Sequence, residues 1–180
     1  MDDFDIVKEK VRSAAVSDPP EPWGRVGTVN FGGVTEVGFA EDSELLLVLS
    51  GHGRGVIDCR TGRNVGRDIA IDNPSAWYGH HDLIGHGIGP LRGREVRLAG
   101  TSGGGLLAIT RDGWGAVRMA VDWPDECLLL DAPFCSIYQP AAPFWKIGVE
   151  REVLAYGFSY TGKSLVWATS EGVTIFRRDD

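Results

Sequence analysis

Leu46-Leu-Val-Leu-Ser-Gly-His-Gly53 decides the fold, because the chain repeats its pattern twice more. The other copies are Leu106-Leu-Ala-Ile-Thr-Arg-Asp-Gly113 and Leu165-Val-Trp-Ala-Thr-Ser-Glu-Gly172. Each is a leucine, three apolar residues, a Ser or Thr, one free position, then His, Asp or Glu, then Gly. Such an apolar run, bounded by turn formers, reads as a strand buried on both faces. The polar residue followed by Gly suits a tight hairpin turn, since Gly adopts positive φ freely. After each turn the chain is β-like again, as Gly55-Val-Ile-Asp-Cys59, Trp114-Gly-Ala-Val-Arg-Met-Ala-Val121 and Val173-Thr-Ile-Phe-Arg177. Each phrase is therefore expected at the centre of an antiparallel hairpin.

The outer copies agree further upstream, where Val37-Gly-Phe-Ala40 and Tyr156-Gly-Phe-Ser159 precede them. After the first copy, Asp58-Cys-Arg-Thr-Gly62 turns the chain toward Arg63-Asn-Val-Gly-Arg-Asp68. This succession over residues 37–68, and in part over 156–178, resembles a β-propeller blade of the WD or quinoprotein kind. The resemblance implies four-stranded antiparallel units. There is no Trp-Asp dipeptide, and the copies begin at residues 46, 106 and 165. That spacing exceeds the roughly 40–50 residues of a blade, and propellers close with about 4–8 blades. A twisted sandwich or an open barrel built from three related hairpins is equally allowed by the pattern. The expected fold is all-β, one domain over residues 1–180. It has a helix in 1–18 and repeat-like β units of about 60 residues at 23–72, 73–126 and 127–178.

Composition supports that class. The chain of 180 residues is 43% hydrophobic, with six Trp and 25 Gly, enough for one packed core. Phe4, Val7, Val11 and Ala14/Ala15 share one face at helical spacing within residues 2–16. Ser17-Asp-Pro-Pro-Glu-Pro22 ends that helix. The net charge of −7 argues against a general nucleic-acid binder, which needs clustered Lys and Arg, and is compatible with a basic protein partner. Cys59, Cys127 and Cys135 are too few for a disulfide framework and read as reduced thiols. The acidic opening Met1-Asp-Asp-Phe-Asp5 is unlike a signal peptide, and no run approaches the length of a membrane span. The expectation is a cytoplasmic protein without a membrane partner.

Several stretches could carry chemistry. His80-His81-Asp82 with His86 offers metal-ligand and acid–base side chains, so His80, His81, His86 and Asp82 are candidate catalytic residues. Within that set, His81, His86 and Asp82 are candidate ligands for a transition metal such as zinc. Adjacent histidines on an extended chain point to opposite faces, which leaves hydrogen-bonded loop residues as the simpler reading. Gly100-Thr-Ser-Gly-Gly-Gly105 could cradle an anion but lacks a lysine, and reads as a turn. Ser50 and His52 sit in a hairpin that recurs without them, so they read as structural. Cys59 and Cys135 read as core filler. Asp122, Asp125, Glu126 and Asp131 around Trp123-Pro124 read as a solvated turn.

The segment 133–145 is different in kind. Its Phe134, Ile137, Tyr138, Phe144 and Trp145 lie among three prolines, and aromatics on a stiff loop make good interface anchors. The competing expectation is that the loop folds back over an open sheet end. The function expected is protein binding without catalysis and without a resident cofactor. In size and charge the chain resembles bacterial immunity proteins, which neutralise basic toxins. The alternative is a metal-assisted hydrolase using the His80/His81/His86 loop. An incomplete set of units leaves edge strands needing cover, so a capped monomer or a homodimer is expected.

Overall fold

The computed structural model describes residues 3–69, 76–79 and 81–179. Helix α1 (Asp3–Ser13) comes first, followed by strands β1 (Trp23–Asn30), β2 (Val34–Phe39), β3 (Leu45–Ser50), β4 (Gly53–Asp58) and β5 (Arg63–Asp68). Short strands β6 (Tyr78–Gly79), β7 (Ile84–His86), β8 (Glu95–Arg97) and β9 (Ala99–Gly100) occupy the centre of the chain. Then come β10 (Gly115–Asp122), β11 (Asp125–Asp131), β12 (Phe144–Arg151), β13 (Ala155–Phe158), β14 (Ser164–Thr169) and β15 (Gly172–Arg178). The protein is all-β with an N-terminal helix. No helix among the described residues is long and apolar enough to cross a membrane.

The sheets are ordered β5-β4-β3-β2-β9, β1-β15-β14-β13, β10-β11-β12 and β6-β7-β8. The first and last long strands of the chain pair antiparallel, Trp23 with Arg178 through Asn30 with Gly172.

Alternation along the central strands explains how the sheets stack. On β3, Leu46 and Val48 face one core, while Leu47 and Leu49 face another with Trp77, Leu91, Val96 and Leu98. The core of Leu46 and Val48 is closed from the far side by Val166 and Ala168 of β14. Leu165 and Trp167, on the opposite face of β14, meet Leu128 and Leu130 of β11. Cys127 and Leu129, on the other face of β11, meet Val7 and Val11 of α1. Successive side chains on a strand point to opposite faces, so each leucine-rich strand is shared by two cores. The layers run from the small sheet at one end to the helix at the other.

The outer phrases form their hairpins with two-residue turns, Ser50 opposite Gly53 and Thr169 opposite Gly172. The middle phrase differs. Its pairing is reduced to Leu107 with Phe158 on one side and Ile109 with Gly115 on the other. The run buried on both faces in the third sheet is instead Cys127-Leu-Leu-Leu-Asp131 of β11. The physical reason lies upstream. Strand β8 pairs with β7 and β9 with β2, so no strand from residues 94–100 flanks Leu106–Ile109. Trp123-Pro124 is a turn inside the β10–β11 hairpin, not the end of a unit, and the third sheet therefore runs across residue 126.

Other elements also depart from the sequence reading. The helix ends at Ser13, before the prolines, where the Lys146 ammonium donates to the carbonyls of Val11 and Ala14 at 3.3 and 3.2 Å. Phe4 lies outside the buried stripe of Val7 and Val11. Among the described residues around the histidines lie β6, β7 and a 3-10 turn at Gly89–Leu91, not loop alone. Phe144 and Trp145 open β12, which the prolines before them obscure.

Candidate functional site

The weakly paired middle phrase borders an apolar surface groove. The Trp114 amide donates to the Thr110 hydroxyl at 2.9 Å, and the Thr110 amide donates to the Trp114 carbonyl at 2.9 Å. Gly113 in this turn has φ +93°. A Cβ there would lie 2.7 Å from the Phe134 amide nitrogen and 2.8 Å from its ring, so glycine is required by both conformation and space. The Phe134 amide donates to the Gly113 carbonyl at 2.9 Å, seating the loop after β11 against the middle turn.

Between these two segments lies a groove of about 390 Å³. Ala108, Gly115, Ala116 and Val117 line it, together with Ile109 and Phe134. The last two are large and apolar, yet 66% and 80% exposed. Single exposed apolar residues are ordinary; here two stand beside one apolar concavity.

Asp131 also lines the groove and is only 3% exposed. Its Oδ2 accepts the Ile137 amide at 3.1 Å, while Oδ1 is buried without a hydrogen-bond partner. Burial pushes the Asp131 carboxyl above the ordinary carboxylate range, against smaller downward pulls from the Ile137 amide and Lys10. A Cβ on Gly115 would stand 3.3 Å from Asp131 Cβ and 3.6 Å from Oδ2, so this glycine packs directly against the acid.

The five anchors expected from the 133–145 segment divide into two groups. Phe134 and Tyr138 face outward. Ile137 is fully buried with Val7 and Val11 beneath α1. Phe144 is half-buried under the Lys10 ammonium, 4.9 Å from its ring centroid. Trp145 is half-buried, its ring 6.2 Å from that of Trp114. These three pack inward to different degrees, as the loop is drawn in by the Asp131–Ile137 hydrogen bond and by the start of β12.

The histidine segment is divided as well. His80 lies outside the described residues. His81 and His86 are exposed, and Asp82 Oδ1 accepts the Ile84 amide at 3.0 Å, shaping the turn between β6 and β7. Among the described residues, no group of three or more His, Cys, Asp or Glu side chains could hold a metal ion. A scan against protein-family models finds no match for this chain, and a search of curated proteins finds no significant relative.

The remaining suspects serve the fold. The Ser50 hydroxyl donates to the Gly53 carbonyl at 3.0 Å and accepts the His52 amide at 3.2 Å, closing its turn. Cys59 and Cys127 are buried, and burial raises both thiols, which keeps them protonated; Cys135 is half-buried beside the groove. Asp122 pairs with Arg12 at 3.0 Å, Asp125 with Arg151 at 2.7 Å, and Glu126 accepts the Val153 amide at 3.0 Å. Each of these acids has its own partner, and Asp131 stands at the opposite end of the hairpin from them. At the tip between Asp122 and Asp125, Trp123 is 81% exposed.

Two loops that could hold an anion hold a glutamate of the chain itself. In the Gly100–Gly105 turn, the Ser102 amide and hydroxyl donate to Glu36 Oε1 at 3.0 and 2.8 Å. Glu36 Oε2 is buried without a partner, sealed beneath Gly100. Gly157-Phe-Ser-Tyr-Thr-Gly-Lys-Ser164 has the residue spacing of a phosphate loop. A strand follows it instead of a helix, and Ser159, Thr161 and Ser164 hydroxyls all bond the Glu44 carboxylate.

Sequence reading missed Ile109, Gly115 and Asp131 as parts of one site. The available signal was an acid ending an apolar run, Cys127-Leu-Leu-Leu-Asp131, immediately before the aromatic loop.

Proposed function

We propose that this protein is a non-catalytic, cytoplasmic binding module that docks a basic protein partner on the groove between residues 108–117 and 131–135. One observation carries the reading: Ile109 and Phe134 stand largely in solvent beside an apolar concavity that contains a buried carboxylate. Large side chains around a central pocket are where binding energy concentrates in protein interfaces. The net charge of −7 favours a basic partner by steering and complementarity. Within this class, the small acidic chain suits an immunity-type role, the neutralisation of a basic toxin by occlusion.

The test begins with photo-cross-linking from position 109 in cells, identification of the adduct, and titration of the purified partner. Phe134→Ala is expected to weaken that partner by about 2 kcal/mol, a roughly thirtyfold loss, without lowering the melting temperature. Trp123→Ala, at the far hairpin tip, should leave the affinity unchanged. Equal affinity of the Phe134→Ala variant and the parent protein would overturn the proposal.

A further inference from the structure

The groove also indicates which side chain of the partner it receives. Resting on the docking reading above, we infer that the groove takes a single lysine side chain, its methylene stem along the apolar walls and its ammonium at Oδ1 of Asp131. Three observations converge. The walls are apolar, formed by Ala108, Ile109, Ala116 and Phe134, which suits a hydrocarbon stem and not a compact polar group. Asp131 is 3% exposed and its Oδ1 lacks a partner, so a donor brought to it would gain a charge-assisted hydrogen bond that the free protein leaves unmade. Gly115 borders the acid without a side chain of its own, and a Cβ there would stand 3.3 Å from Asp131 Cβ and 3.6 Å from Oδ2.

Lysine fits better than arginine because only one carboxylate oxygen is unpaired. Oδ2 already accepts the Ile137 amide, so the two-pronged fork of a guanidinium meets one free acceptor. An ammonium is a point charge that needs a single strong acceptor. Oδ1 is out of water's reach in the free protein, so the stem must press the rim aside to enter. Phe134, 80% exposed, is the rim residue with room to move.

The test uses the full chain and three blocked tripeptides, acetyl-Ala-Lys-Ala-amide and its arginine and norleucine counterparts, followed by amide chemical shifts. The lysine probe is expected to shift Gly115, Phe134 and Cys135 saturably, at least about tenfold more tightly than norleucine, and more tightly than arginine. Asp131→Asn should abolish the preference over norleucine while the spectrum stays folded. Gly115→Ala, which adds a methyl beside the carboxylate without changing charge, should weaken the lysine probe as well. Three results would each overturn the assignment: equal binding of lysine and norleucine probes, a lysine preference that survives Asp131→Asn, or no saturable shift at these amides. Failure here with Phe134→Ala still weakening the partner sinks the lysine and leaves the docking groove. Failure of the Phe134→Ala test sinks the groove itself.

Discussion

The outer phrases, Leu46–Gly53 and Leu165–Gly172, share a pattern with Leu106–Gly113 but not its fate. The outer two enter the centres of sheets, with neighbours on both edges and cores on both faces. The middle one holds a single bridge on each edge and leaves Ile109 in solvent. An apolar run becomes a buried strand only when its edges find partners, because backbone donors and acceptors must be satisfied before a strand can be enclosed. The Gly100–Gly105 turn, folded onto Glu36, supplies no such partner. Of the middle phrase, Ala108 and Ile109 are exposed and line the groove.

The contrast is testable by truncation. Leu47→Ala on β3 or Leu165→Ala on β14 removes a fully buried side chain and is expected to destabilise by about 2–5 kcal/mol. In a chain of this size that is a drop of roughly 5–20 °C in melting temperature. Ile109→Ala in the middle phrase should stay within about 0.5 kcal/mol of the parent. Comparable losses at all three positions, read by thermal and urea unfolding, would remove the distinction.

A smaller effect is expected at Glu44, whose carboxylate gathers hydroxyls from Ser159, Thr161 and Ser164 across two sheets. Glu44→Ala leaves buried hydroxyls short of an acceptor and should destabilise by about 1–3 kcal/mol. Glu44→Gln, which keeps one acceptor oxygen, should fall between that variant and the parent. A Glu44→Ala protein as stable as the parent would mean the two loops are not held by this carboxylate.

Asp131 should behave oppositely to Glu44. Its folded-state carboxyl is held above the ordinary range by burial, so the folded protein binds this proton more tightly than the unfolded chain. The stabilisation from that proton is full below the unfolded value near about 3.9 and is lost as pH rises through the folded value. Asp131→Asn is therefore expected to be as stable as the parent at neutral pH or more stable, by on the order of 1 kcal/mol or less. The parent should gain on the variant as the medium is acidified. An Asn variant clearly weaker at neutral pH, in parallel unfolding titrations, would show that the charged form has a partner that holds it.

Local pattern made much of this fold legible. The apolar runs at 46–49 and 165–168, each followed by a polar residue and Gly, define β3–β4 and β14–β15 without further information. The spacing of Val7 and Val11 likewise places the buried stripe of α1. The third central strand was harder to rank, because Cys127-Leu-Leu-Leu-Asp131 ends in Ala-Pro where the repeated phrase ends in a turn glycine. Pairing of β1 with β15 joins residues from opposite ends of the chain, and no local period encodes that. The groove was illegible for the same reason, since it forms only when Gly113 and Phe134 meet. In the 133–145 segment, composition marks the bulky residues but not the direction each faces. Ile137 turns inward because Asp131 holds its amide, a contact that spacing alone does not reveal.

The most direct measurement is hydrogen–deuterium exchange on the full chain, with and without its purified partner. The account predicts slowed exchange confined to residues 108–117 and 131–137, with the β6–β7 turn around His81 and the Trp123 tip unchanged. Protection centred on the His81–His86 segment or on the β5 edge, with the groove exchanging freely, would contradict it.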